Sequence, residues 1–287
     1  MLAVTTILSI QSSVAYGHVG NSAATFPLMR MGVEVWPVLT VHFSNHTGYP
    51  GWRGPMLRAA DIAEVVQGID ERGVLGQVDA VLSGYQGAED VGAVILDAVD
   101  LVRRRNPDAV YCCDPVMGDV GRGFYVRPGI PELMRDRVVP AAQVITPNQF
   151  ELEALTGRTV RTHGDLLAAA DVVRAYGPET VLVTSVVLGD SAPDTIEMVA
   201  VDGAAAWSVS TPLLPRSFTG GGDLTAATFL AQLLTGAHLA RALERTAAVV
   251  FGVLRVTVDL GRSELALIPA QQELVVPTAH FSAVRLR

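Results

Sequence analysis

Thr219-Gly220-Gly221-Gly222-Asp223 runs directly into Leu224-Thr225-Ala226-Ala227-Thr228-Phe229-Leu230-Ala231, an apolar stretch of helical composition. Three consecutive glycines leave three backbone N–H groups unobstructed. The helix behind them aims its positive end at the same place, which makes a receptor for an anion. An aspartate inside such a receptor is out of place unless it works there. The task it suits is taking the proton of an alcohol while the N–H groups hold a phosphoryl group that the alcohol attacks. Asp is equally a good helix N-cap, and glycine-rich turns precede many helices. From these residues alone both readings stay open.

Upstream of this turn, short β-rich runs alternate with longer segments of helical period. Strands are predicted over Val4–Ile10, Val33–Val38, Ala80–Leu82, Ala109–Cys113, Gln143–Thr146 and Thr180–Thr184. Helices are predicted over Asn21–Met31, Asp61–Arg72, Val91–Arg104, Pro131–Val138, Asn148–Leu155, Gly164–Tyr176, Asp223–Leu234 and Arg241–Val256. Several strands are almost continuously apolar, as expected where both faces of a sheet are covered. The alternation predicts an α/β fold, a mostly parallel sheet with helices on both faces and ligands at the carboxyl ends of its strands. Thr195–Val201 and Ala204–Ser210, joined through Asp202-Gly203, read as an appended hairpin. No linker, repeat or low-complexity stretch interrupts residues 1–287, so a single domain is expected.

Composition removes whole classes of function. The 287 residues are 49% hydrophobic with a net charge of −8, which argues against nucleic acid or an anionic membrane surface as the main partner. A polyanionic substrate would need a metal ion to be tolerated here. All 21 basic residues are arginine. Without lysine there is no P-loop, no protein-kinase strand lysine and no pyridoxal-phosphate Schiff base. If phosphate is handled, glycine N–H groups, metal ions and arginine must do it.

The cysteines are the neighbours Cys112 and Cys113, whose side chains point to opposite faces of a strand, which disfavours a disulfide between them. This fits a reducing compartment. His42 and His46 have a spacing that zinc sites use, but no Cys-x2-Cys pair precedes them and the stretch reads as a loop. The apolar N-terminal stretch Met1–Ile10 lacks a basic n-region and reads as a first strand rather than a signal peptide. Leu224–Ala240 carries Gln232, Gly236 and His238 and reads as a buried helix rather than a membrane span.

Polar clusters fall where strands end. Ser9 to Asn21 reads as a polar turn between the first strand and helix, and Val41 to Tyr49 mixes donors, acceptors and aromatics as the wall of a small-molecule pocket would. Ordinary capping loops account for either alone. Cys113-Asp114-Pro115-Val116-Met117-Gly118-Asp119 brings two carboxylates after a strand. Asn148 and Glu151 lie three apart at a helix start, on one face. Oxygen ligands of this kind suit Mg²⁺, and the same pair also suits a capping box.

In order along the chain stand Ser12, Tyr16-Gly17-His18-x-Gly20-Asn21, Phe43-Ser44-Asn45-His46-Thr47, Cys113-Asp114-Pro115-Val116-Met117-Gly118, Thr146-Pro147-Asn148-x-x-Glu151 and Gly220-x-Gly222-Asp223. Together they resemble the pyridoxal kinases, the vitamin B6 branch of the ribokinase-like superfamily. Phe281-Ser282-Ala283 is similar to that family's ending, so the resemblance covers essentially the whole chain. Gly-x-Gly-Asp alone marks the superfamily, and the Phe-Ser-Asn-His-Thr and Tyr-Gly-His segments narrow it to the B6 kinases.

The resemblance implies a ribokinase-like fold and transfer of phosphate from ATP, as co-substrate, to the 5′-hydroxymethyl of pyridoxal. It makes Asp223 the general base, with Gly220, Gly221 and Gly222 as the anion hole. Ser12 and Thr47, with Gly48 beside it, would bind the ring substituents, while Val41, Phe43 and Tyr85 pack on the ring. Asp114, Thr146, Asn148, Glu151, Thr184 and Ser185 would face ATP, with Asp114, Asp119 and Glu151 on its Mg²⁺. Thr146 and Thr184 would lie near a monovalent cation, K⁺, and Thr211, Pro212, Leu213 and Leu214 would flank adenine. A cytoplasmic homodimer with no nucleic-acid or membrane partner is implied as well. Related kinases of hydroxymethylpyrimidine or sugars, and a non-catalytic B6-binding protein, are the rivals. Two departures stand out: Gly221 replaces the usual Thr or Val, and Pro215-Arg216-Ser217-Phe218 is a short approach to the glycines.

Overall fold

Strand β1 (Thr6–Val14) alternates between two cores: Ile7 packs into one, Leu8 and Ile10 into the other. The computed structural model describes residues 4–287, so the first three residues of the apolar N-terminal stretch lie outside it. After β1 come α1 (Asn21–Arg30), β2 (Glu34–Phe43), α2 (Ala59–Glu71), β3 (Ala80–Ser83), α3 (Glu89–Arg105) and β4 (Val110–Cys113). A small hairpin of β5 (Gly118–Asp119) and β6 (Gly123–Phe124) leads through α4 (Ile130–Leu133) and α5 (Val139–Ala141) to β7 (Val144–Ile145). Then follow α6 (Gln149–Thr156), α7 (His163–Arg174), β8 (Thr180–Val186), β9 (Thr195–Val201) and β10 (Ala206–Pro212). The last elements are α8 (Gly221–Leu234), α9 (Leu239–Asp259), α10 (Gln271–Val275) and β11 (Val284–Arg285).

Nine strands form one sheet in the order β11-β10-β9-β8-β7-β4-β3-β1-β2. The six from β8 to β2 pair in parallel, and β9, β10 and β11 add an antiparallel edge. Helices α2, α3, α6 and α7 bury Ile62, Ile95, Leu152 and Leu166 on one face. Helices α1, α8 and α9 bury Leu28, Phe229 and Leu243 on the other. The mostly parallel sheet covered on both sides is thus the one the alternation predicts. Cys112 and Cys113 do face opposite cores, and burial pushes Cys113 up to about 12 and Cys112 up as well, which leaves both thiols protonated.

The chain leaves β1 for β2 on one side and then crosses to β3 on the other. The carboxyl ends of β1 and β3 therefore diverge at a topological switch point, where open α/β sheets bind ligands.

Two strands run further than their sequence suggests. β1 continues from Ile10 to Val14, through residues that read as a turn. Its buried polar groups are satisfied internally: Gln11 donates to the Ser9 hydroxyl, and the Asn21 amide donates to the Ser9, Gln11 and Val38 carbonyls. β2 runs from Val38 on to Phe43, held by a bridge from Val41 to Met56 and by the Leu57 N–H on the Thr40 carbonyl. The appended hairpin is present as β9 and β10, with β10 shifted to start at Ala206. The helix predicted over Pro131–Val138 instead passes from α4 into a π turn at Met134–Val138.

Phe229 of α8 is fully buried against the sheet. Phe229→Ala should destabilise the fold by about 3–5 kcal/mol through lost burial and the cavity left behind, measured by urea unfolding followed by circular dichroism.

Candidate active site

Helix α8 begins with Gly220 as N-cap at φ 86, and no side chain caps it. A Cβ on Gly220 would collide with the His18 carbonyl. Gly20, at φ 51, precedes α1 in the same way, and a Cβ there would collide with the Ser12 carbonyl and hydroxyl. These two glycines let the N-termini of α8 and α1 close on the end of β1. Gly222 has no heavy atom within 4 Å of its Cβ position and lines an open cavity, whereas Gly221 points at Phe218, 3.9 Å away, and does not line it. The first-turn N–H groups of α8 thus stay free for an anion.

Asp223 lies three residues into α8 rather than at the cap, which sets the N-cap reading aside. Its carboxylate opens into the same cavity. Burial raises its pKa to about 6, opposed by the N–H groups of Gly20 and of Asp223 itself. A carboxylate poised there is ionised at neutral pH yet more basic than an exposed aspartate, as a general base should be.

The cavity, about 320 Å³, has two unlike ends. Val14, Val41 and Phe43 form an apolar wall with Val19, Met56 and Tyr85 packed on it. Thr40 donates to the Tyr85 carbonyl at 2.7 Å and fixes that loop. Ser12, His46, Thr47 and Gly48 supply the polar rim of this end. At the other end stand Asp114, Asp119, Thr146, Asn148, Glu151, Thr184 and Ser185. Ser185 holds φ 54 at an irregularity in the β8–β9 pairing, a costly conformation for a non-glycine residue and one found at functional sites.

Asn148 and Glu151 form a complete capping box at the start of α6: the Glu151 N–H donates to Asn148 Oδ1 at 2.9 Å, and Glu151 Oε2 accepts the Asn148 N–H at 2.9 Å. Glu151 Oε1 also accepts from Met117 N–H at 2.8 Å and from Gly118 N–H at 3.4 Å. Asp114 is 5% exposed and has one side-chain partner, the Thr146 hydroxyl at 3.0 Å. Burial pushes Glu151 up to about 8, and burial together with Glu151 and Asp223 pushes Asp114 well above the carboxylate range. A cation beside acids so placed would favour their ionised forms. The donor set, carboxylate and hydroxyl oxygens, fits Mg²⁺ completed by water and phosphate. Among the described residues no three His, Cys, Asp or Glu side chains converge as a closed metal site.

Of the residues to which the resemblance assigns a catalytic, substrate, nucleotide or metal role, all but Gly221 and Thr211–Leu214 line this cavity. Thr211 is buried on β10, and Leu213 is exposed beyond its end. The sequence reading missed Arg122 and Tyr125, which the β5–β6 hairpin brings to the cavity with the Arg122 guanidinium 5.3 Å from the centre of the Tyr125 ring. Gly121 and Gly123, both at positive φ, carry the hairpin signal that marks it. In a chain without lysine, Arg122 is the cavity's fixed cation. Phe218, Val19 and Val120 also went unrecognised.

The family model of the phosphomethylpyrimidine kinases matches residues 61–267. Pyridoxal kinase PdxY of Rubrobacter xylanophilus is 60% identical over 281 residues, covering 98% of this chain and 97% of its own. PdxY of Leifsonia xyli is 54% identical over 280 residues, covering 98% and 99%. Among solved structures, pyridoxal kinase of Leishmania donovani in complex with ADP and pyridoxamine superposes with a TM-score of 0.92 at 28% identity, covering 99% of this chain and all of that one.

The two glycines should respond oppositely to a methyl group. Gly221→Ala has room and should stabilise the fold by about 0.4–1 kcal/mol by restricting the unfolded chain, while Gly220→Ala, strained at positive φ and blocked by His18, should destabilise it by more than that. Paired urea titrations give both signs.

Proposed function

The chain belongs to the pyridoxal kinases, with a ribokinase-like fold, and we propose that its cavity passes the γ-phosphoryl of ATP to the 5′-hydroxymethyl of pyridoxal through Asp223. It is a kinase that uses ATP as co-substrate. One observation carries the residue assignment: the raised carboxylate of Asp223 and the uncapped N–H groups of α8 open into the same cavity as an aromatic-lined wall.

The pyridine ring would lie against Val41, Phe43 and Tyr85, with Ser12 and Thr47 bonded to its substituents and Gly48 leaving room beside them. This directs the 5′-hydroxymethyl at Asp223, which accepts its proton as oxygen attacks phosphorus in line. The N–H groups of Gly220, Gly221 and Gly222 hold the transferring phosphoryl, each well-placed donor contributing roughly 3 kcal/mol in the transition state. Asn148, Thr184 and Ser185 would face the nucleotide phosphates, and Thr211, Pro212, Leu213 and Leu214 would flank adenine from outside the cavity. Arg122 adds charge where lysine is missing.

A Mg²⁺ ion entering with the nucleotide would neutralise phosphate charge and be held by Asp114, Asp119 and Glu151. With both Glu151 oxygens already accepting N–H donors, the two aspartates carry more of that ligation. The Thr146 and Thr184 oxygens would bind K⁺. Residues 1–287 act as one kinase domain in a cytoplasmic homodimer, a reading supported by family membership. The matching family model is named for phosphomethylpyrimidine, which makes a hydroxymethylpyrimidine or its phosphate the rival substrate. A vitamer panel that includes it decides between them by ADP release.

Asp223→Asn should lower kcat by about 10²- to 10⁴-fold while ATP still binds. Because the folded pKa of Asp223 lies above its unfolded value, its ionisation opposes folding above pH 6, and the variant should melt at or above the parent temperature at pH 8. In the parent, kcat/KM should fall as pH drops through about 6, where the base becomes protonated. Near-normal turnover by the folded variant would remove Asp223 from the role of base. Separately, the rate with Mg²⁺-ATP should rise when K⁺ replaces a bulky organic cation at equal ionic strength, and identical rates would remove the K⁺ assignment.

A further inference from the structure

Glu264, in the loop after α9, reaches from late in the chain to the segment behind the apolar end of the cavity. Its Oε1 accepts the Tyr49 hydroxyl at 2.7 Å and His46 Nε2–H at 3.1 Å, and its Oε2 accepts the His18 N–H at 3.2 Å. The Gly48 N–H donates to His46 Nδ1 at 3.1 Å, so the ring carries its proton on Nε2, the atom that meets the carboxylate. Gly17 stands at φ 91, and a Cβ there would collide with the Glu264 carboxylate, so that turn needs glycine for the approach. The next residue, Leu265, is 2% exposed and comes within 3.2 Å of the Cβ position of Gly220. One short loop therefore braces both the ring-side segment and the glycine turn of α8. Among the described residues no arginine pairs with Glu264. Its charge is spent on three neutral donors, each strengthened by it.

We propose that Glu264 is the positioning residue that holds His46, Thr47 and Gly48 in the shape that binds pyridoxal, in register with the phosphoryl site. This rests on the pyridoxal kinase reading above. Glu264 touches neither substrate. It acts through the tautomer and orientation of His46, the hydroxyl of Tyr49 and the His18 backbone. Removing it frees the segment that meets the ring and leaves the nucleotide end intact.

The test is steady-state kinetics of the full chain with Glu264→Ala and Glu264→Gln, together with melting temperatures. Hydrogen bonds to a charged group are lost, so Glu264→Ala should raise the KM for pyridoxal about tenfold or more. The KM for ATP and kcat should change less than about twofold, since the glycine turn is packed by Leu265, which the substitution leaves in place. Glu264→Gln retains a carbonyl for Tyr49 and His46 but turns an amide toward the His18 N–H, and should fall between parent and Glu264→Ala. An unchanged pyridoxal KM, or parallel rises in both KM values with a lowered melting temperature, overturns the proposal. If Glu264→Ala does not fold, Glu264→Gln decides alone: a parent-like pyridoxal KM overturns the role, and a raised one supports it. If the parent does not turn over pyridoxal, the kinase reading fails instead. Calorimetry with pyridoxal then decides for Glu264: weaker binding by the variants than by the parent supports it, and equal binding, or none by the parent, overturns it.

Discussion

The close approach of the Gly220 Cα to the His18 carbonyl sets the geometry on which the site depends. It is possible because Gly220 and Gly20 both adopt positive φ without a Cβ to obstruct the turn. With it, the N-terminus of α8 docks on the turn that leaves β1, and Asp223 comes to face residues carried by β1 and β2. Without it, the anion-binding N–H groups and the apolar wall would belong to separate surfaces. The sheet topology supplies the opening, since β1 lies at the switch point and runs on to Val14 beside β2 after its other neighbour, β3, has stopped at Ser83 opposite Ile10. The glycines then decide how closely two helices may crowd that opening.

The second constraint is charge. An acidic chain that accepts a polyanion must neutralise it locally, and this cavity does so unevenly. Asp114, Glu151 and Asp223 raise one another or are raised by burial, which makes the nucleotide end receptive to cations. The backbone N–H groups of α8, Arg122 and metal ions are what the chain has left to meet phosphate. Of the other two sources one is oriented by the backbone and one is brought in with the substrate, and among the described residues lining the cavity only Arg122 is a side chain of fixed positive charge. A cation beside these buried carboxylates would relieve the cost of their ionisation, which an unaccompanied phosphate would increase.

Much of this was legible in the sequence. The β-rich and helical periods gave the layers, and the glycine–aspartate turn marked one part of the cavity lining. What escaped had a common cause: local pattern does not reveal satisfaction by distant partners. Ser9 and Gln11 read as part of a turn because buried polar residues on a strand are unfavourable alone, yet the Gln11 amide donates to the Ser9 hydroxyl and the Asn21 amide donates to both their carbonyls. The β5–β6 hairpin spans two residues per strand, too short for a period, so Arg122 and Tyr125 were missed although Gly121 and Gly123 flag the turn. Asn148 and Glu151 posed the opposite problem, since one spacing serves cap and ligand. The structure shows the cap in full, while Glu151 still faces the cavity.

Glu151 also shows why the two roles are compatible. By accepting N–H groups from Met117, Gly118 and Asn148, it ties the segment that carries Asp114 and Asp119 to the start of α6. Those bonds favour its ionised form, while burial and Asp119 oppose it, and the balance leaves it near neutrality at about 8. A cation arriving with a nucleotide would tip that balance toward the anion and so strengthen the same N–H bonds. The bonds that complete the cap of α6 and hold the loop bearing Asp114 and Asp119 are thus the same ones, which is how one glutamate serves both.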